Sequence, residues 1–111
     1  MASKLYSLFY RVRDSLFYIS VNHKNMQDIK KEIVFKAIAK TVKKLRGEKS
    51  QFLLGAEYDI PSSVLSDLER AVKDPQLTTL LKLANAFDLS ISKFMEEFEK
   101  ELPENFNILE D

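Results

Sequence analysis

A chain of 111 residues is one domain's worth of polypeptide, and 45% hydrophobic with 31% charged residues is the balance of a sequence that folds around a core in water. The absence of cysteine removes disulfide scaffolds, thiolate metal sites and cysteine nucleophiles together and suits a reducing compartment, the cytoplasm. Two glycines leave no phosphate-cradling loop of the P-loop or dinucleotide type. Net charge is zero, yet residues 1–49 hold twelve basic and four acidic residues, a net of +8, while residues 50–111 hold five and thirteen, a net of −8. Such asymmetry points to a polyanionic partner, or to two halves that neutralise each other once folded.

Along the chain, Leu5, Leu8, Phe9, Val12, Leu16 and Ile19 fall at helical spacing and predict a helix over residues 4–21. The aromatic and β-branched content of LFY and LFYISV would also suit a hairpin. Arg11, Arg13 and Asp14 interrupt this stretch, so it reads neither as a secretion signal nor as a membrane span. Asn22 to Asn25 reads as a loop. From Asp28 a helix carries Ile33, Ile38, Val42 and Leu45 on one stripe and lysines 30, 31, 36, 40, 43 and 44 on the other face, ending at Gly47.

Four shorter helices follow. Ser50 caps one with Phe52, Leu53, Leu54 and Ala56; Asp59, Ile60 and Pro61 break it; Ser62 or Ser63 caps the next, with Val64, Leu65 and Leu68 inward. Asp74 and Pro75 predict the start of a helix bearing Leu77, Leu80, Leu81, Leu83, Ala84 and Phe87. Ser90 opens the last, with Ile91, Phe94, Met95, Phe98 and Leu102 at continuous helical spacing and Pro103 at its end. The expected fold class is all-α, five helices with an additional helical N-terminal segment. The expected divisions are an aromatic-rich extension over 1–33, a helical domain over 34–102 and an acidic tail over 103–111.

Two helices joined by the three-residue break at 59–61 have the spacing of a helix-turn-helix, whose second helix can enter a duplex groove. The blocks IAKTVKKLR, SQFLLGAEYDI, PSSVLSDLERAVKDP, QLTTLLKLANAFDLS and ISKFM, running from Ile38 to Met95, carry this further. In the order of apolar, cap and proline positions they resemble the lambda-repressor and Cro-like family of bacterial and phage regulators. The resemblance implies a DNA-binding domain acting on double-stranded DNA as a dimer. By the same resemblance Gln51 reaches a phosphate, helped by Lys73 and by Lys43, Lys44 and Lys49. Ser62, Ser63, Val64 and Asp67 stand at the bases, and Arg46 pairs with Glu69 inside the fold. Phe94, Met95, Phe98 and Leu102 would join two copies.

The chain departs from its relatives in three ways that matter physically. Short serines replace the long amide and cationic side chains usual on the second helix, so bidentate base contacts are lost; Asp67 could accept from a cytosine amino group or instead repel the backbone. Asp59 replaces a turn glycine, and Ala71 replaces the glycine after the second helix. The segment from Arg46 to Ser50 is short, which bears on the angle between the first two helices. Gly55 falls at the small-residue position where the two motif helices cross.

Other chemistries find little here. His23 is the single histidine, in a loop-like stretch without a nucleophile pattern, and reads as a surface residue; no enzymatic activity and no cofactor are expected. Glu96, Glu97, Glu99 and Glu101 wrap around a helix's polar face instead of converging on a metal. The competing reading is a protein-interaction module that keeps this fold as scaffold and docks a partner through Tyr6, Phe9, Tyr10, Phe17 and Tyr18.

Overall fold

The computed structural model describes residues 5–12, 15–22 and 25–109. His23 and the last two acidic residues of the expected tail, Glu110 and Asp111, lie outside the described residues. The chain opens with β1 (Leu5–Val12) and β2 (Ser15–Asn22), paired antiparallel as a two-stranded sheet. The helix expected over 4–21 is therefore corrected to a hairpin. The physical reason lies in the pattern: eleven of the eighteen residues from Leu5 to Asn22 are apolar or aromatic and they come in runs, so the spacing that fits a 3.6 period does not exclude a period of two. Aromatic and β-branched residues then favour the pleated backbone. The register sets Leu8 opposite Ile19, Phe9 opposite Tyr18 and Tyr10 opposite Phe17.

The helices follow: α1 (Met26–Arg46), α2 (Gln51–Tyr58), α3 (Ser62–Glu69), α4 (Leu77–Ala86) and α5 (Ile91–Glu99). The five-helix domain expected from the sequence is present. α1 starts two residues earlier than predicted because Asn25 caps it, its side chain accepting from the Asp28 amide at 2.8 Å. It is continuous through residues 33 and 34, the expected boundary between extension and domain. Gly47 closes it at φ +60, a left-handed value that glycine adopts without steric cost, and its amide donates to the Lys43 carbonyl. Ser50 and Ser90 cap α2 and α5 as expected, each accepting from the amide three residues on at 3.1 Å.

Two expected starts shift. α3 has Pro61 before it with no side-chain cap, so Ser62 and Ser63 are its first helical residues and not its cap. α4 begins at Leu77 behind Gln76, also without a side-chain cap, two residues after the predicted proline start. The residue before a proline is driven to extended backbone, and the Asp74–Pro75 pair is spent in the connecting loop. At the far end α5 stops at Glu99, and Leu102 lies in the turn beyond it.

Ile38 and Val42 of α1 meet Leu54 of α2, Ile60 of the turn, Leu65 and Leu68 of α3, Leu83 and Ala84 of α4 and Phe94 of α5, all buried. One hydrophobic cluster thus ties all five helices and orients α2 and α3. A satellite lies toward the start of α1, where Phe106 and Ile29 pack on Ile33 and the Lys30 ammonium donates to the Leu109 carbonyl. The segment from Pro103 to Leu109 therefore folds back along α1. No helix among the described residues is long and apolar enough to cross a membrane.

Candidate functional site

The relation of α2 to α3 is set by three residues with no polar side-chain chemistry in common. Asp59 ends α2 in the left-handed conformation at φ 55, ψ 49, which aspartate tolerates better than most residues. Ile60 is buried, and its amide donates to the Gly55 carbonyl at 2.9 Å. Gly55 lets the turn come in: a β-carbon there would stand 2.4 Å from the Ile60 carbonyl oxygen. Lys82 of α4 clamps the turn from outside, donating to the Asp59 carbonyl at 2.8 Å with its ammonium 3.5 Å from the Asp59 carboxylate.

Within that frame the amino ends of α2 and α3 are open to solvent. Gln51 is half-buried at the first position of α2, next to first-turn amides that have no acceptor within the helix. Ser62 and Ser63 are exposed at the start of α3, Val64 is half-buried against the core, and Asp67 is half-buried one turn further along. Asp67 is not free: Arg70 donates to its carboxylate at 2.6 Å. Arg70 was not among the expected site residues, although the three-residue separation of the pair is legible on a helix.

Arg46 and Glu69 are brought together in a bidentate ion pair, Nε to Oε2 at 2.8 Å and Nη2 to Oε1 at 2.7 Å, joining α1 to α3. Arg46 also donates to the Lys49 carbonyl at 2.6 Å, which fixes the short connection to α2. The Glu69 side chain is only 4% exposed, so the guanidinium is the counter-charge that makes its burial tolerable. The hydrogen bond from Arg46 to Glu69 in turn raises the arginine's affinity for its proton.

The lysines fare differently. Lys43 and Lys73 are exposed and make no ion pair among the described residues. Lys49 is held by Glu57 at 2.8 Å, which raises its pKa above the ordinary lysine value, and lies 5.8 Å from the Tyr58 ring. Lys44 bridges to α5, 3.3 Å from Glu97 and 3.9 Å from Glu101, and Lys40 reaches Glu101 at 3.3 Å. The Glu97 carboxyl is held below the usual carboxylate range first by the hydrogen bond from Lys100 and then by that from Lys44. Part of the charge division seen in the sequence is therefore settled within the fold, α1 lysines against α5 glutamates.

The same pairing governs the sign of the α2–α3 surface. Residues 50–74 hold two basic and five acidic side chains. Four of those acids are engaged by cations: Glu57 by Lys49, Asp59 by Lys82, Asp67 by Arg70 and Glu69 by Arg46. Exposed pairs add little stability, but they leave that surface without a block of unpaired negative charge.

The residues expected to join two copies are divided. Phe94 is fully buried, stacked on Phe87 at a centroid separation of 6.4 Å with 13° between the rings, and Phe98 packs on the same cluster. A side chain with no exposed surface in one copy cannot touch another, so Phe94 is corrected from interface to core. Met95 is exposed, sharing the outer face of α5 with Ile91, and Leu102 is half-buried in the turn after α5. Among the described residues no three His, Asp or Glu side chains are grouped to hold a metal ion.

Residues 42–94 match the family model described as Helix-turn-helix, a span that begins in the second half of α1 and ends in α5. No curated protein and no solved structure matches the chain.

Proposed function

We propose that this chain, whose residues 42–94 match the helix-turn-helix model and whose sequence resembles the lambda-repressor and Cro-like regulators, is a sequence-preferring DNA-binding transcriptional regulator that acts as a dimer. The observation that carries the reading is the placement of α3. Its carboxy-terminal half is anchored in the core by Leu65 and Leu68 and by the Glu69 ion pair, while Ser62 and Ser63 at its amino end face solvent. A helix held at one end and open at the other is what major-groove entry requires.

In this reading the Gln51 side-chain amide and the N–H groups at the start of α2 donate to a phosphate oxygen, and Lys73 and Lys43 add cationic contacts. Ser62, Ser63 and Val64 meet base edges. Asp67, neutralised by Arg70, approaches them without repelling the backbone and can accept from a cytosine amino group. Lys44 and Lys49 serve phosphates only after exchanging their present carboxylate partners. Met95 and Ile91 on the exposed face of α5 are the apolar surface through which two copies would present paired α3 helices to a two-fold site.

The test is fluorescence anisotropy on labelled duplexes of several sequences across a salt series. Gln51→Ala and Lys73→Ala should weaken every sequence alike, and Ser63→Ala and Asp67→Ala should change the order of preference among them. A parent protein that binds no duplex even at low salt would remove the regulator reading and leave the protein-interaction module in its place. Sedimentation of the parent and of Met95→Glu tests the dimer: a parent that is monomeric at all concentrations refutes it.

A further inference from the structure

The carboxy end of α3 forms, with the outer face of α1, an open groove of about 740 Å³ that the residues discussed so far do not explain. Its rim carries Lys36, Lys40, Lys43 and Lys44 from α1 and Arg70 from the end of α3. Its one acidic lining residue is Glu69, already neutralised by the bidentate Arg46. Ala39 and Ala71 supply the short side chains of its lining. Lys40 and Lys44 are engaged by the α5 glutamates, whereas Lys36 and Lys43 make no ion pair among the described residues. Those two are seven residues apart, two helical turns or about 10 Å along one face of α1.

We propose that this groove is a second backbone track for duplex DNA, with Lys36, Lys43 and Arg70 as its phosphate-contacting residues. The inference rests on the reading of α3 as a groove-entering helix and extends its footprint. α3 has eight residues and is about 12 Å long, the width of a B-form major groove. With Ser62 and Ser63 at the bases, its other end comes up against the phosphate backbone that borders the groove, and that is where Arg70 and the α1 lysines stand. The charge is of the right sign, and the small residues of the lining leave room for a backbone. Arg70 then has two roles, neutralising Asp67 and facing the phosphate, which its exposed guanidinium allows with donors to spare.

An acidic protein segment has the same charge and is the outcome that would replace DNA as the occupant. Binding is measured by anisotropy on a random-sequence duplex, for the parent, for Lys36→Gln, Lys43→Gln and Arg70→Gln, and for the triple variant, each checked by circular dichroism for retained helix. Each single substitution should lower the slope of log affinity against log salt by about 0.9, and the triple by nearly three times that, with sequence preference unchanged in Lys36→Gln and Lys43→Gln. Unchanged slopes in these variants, alongside weakened binding in Gln51→Ala and Lys73→Ala, would overturn the track and leave the regulator reading standing. A parent without duplex affinity would overturn both. Fluorescent polyglutamate that binds the parent but not the triple variant, with duplex binding equal in the two, would assign the groove to an acidic protein and overturn the proposal.

Discussion

Replacing Gly55 with alanine sets two effects of opposite sign against each other, and the geometry of the turn decides between them. Inside a helix, alanine for glycine is worth about 1 kcal/mol in favour of folding. At this position the new methyl would stand 2.4 Å from the Ile60 carbonyl oxygen, against the 3.4 Å or more of an ordinary contact. About 1 Å of separation has to be found. The neighbour is backbone, so no rotamer change can provide it. The Ile60 amide is bonded to the Gly55 carbonyl and the Ile60 side chain is in the core, so the turn moves only by disturbing both. Overpacking of this kind costs about 1–3 kcal/mol, and an immovable neighbour places it in the upper half. The net expectation is destabilisation by about 1–2 kcal/mol, a fall in Tm of roughly 5–15 °C for a domain of this size, with duplex affinity falling as well because α3 is displaced. Thermal and urea unfolding with Gly47→Ala as companion is the assay, since a β-carbon at Gly47 meets nothing within 4 Å and reports only the cost of positive φ. If Gly55→Ala proved as stable as the parent or more so, the close approach would be discredited.

Other expectations are more direct. Ala71 follows α3 at φ 59 in a Schellman arrangement, its amide donating to the Leu68 carbonyl and that of Val72 to the Asp67 carbonyl, so Ala71→Gly should stabilise the fold by about 1 kcal/mol; an unchanged urea midpoint would contradict this. Arg46→Met strands the buried Glu69 carboxylate and should cost about 3 kcal/mol, most of it recovered in Arg46→Met/Glu69→Leu; equal losses in the single and double variants would show that the arginine acts otherwise. Phe94→Ala should cost about 4 kcal/mol of stability at any protein concentration, as a core residue does, whereas Met95→Ala should leave the monomer's stability unchanged. The Glu97 carboxyl is held below its ordinary value in the folded chain, so the stability it contributes is present at neutral pH and lost as pH falls through the folded value. Glu97→Gln should flatten the acid limb of a Tm-against-pH profile, and an identical limb would count against the Lys100 and Lys44 bonds.

What could be read from the sequence was what short-range rules control. Ser50 and Ser90 announced their helices because a cap is a bond between residues three apart, and the helical order from Ile38 to Met95 followed from apolar spacing and punctuation. The N-terminal segment misled because its apolar residues come in short runs that satisfy both periods, and pairing between strands decides between them. Phe94 misled because spacing identifies an apolar stripe without telling which members the rest of the fold covers. The Lys82 clamp on Asp59 and the packing of Phe106 on Ile33 bridge 23 and more than 70 positions, and no local pattern signals either. The groove between Lys36 and Arg70 escaped for the same reason: four of its cations stand on α1 and the fifth at the end of α3, more than twenty positions further along.

α1 has 21 residues, about 31 Å of helix, with neither glycine nor proline between its ends. It is a stiff rod, anchored at its far end by Arg46 to the second motif helix and touched near its beginning by Phe106. Such a rod turns small displacements into larger ones by leverage. Whatever seizes or releases the folded-back carboxy-terminal segment pulls on the longest arm in the molecule, and the load is delivered at Glu69.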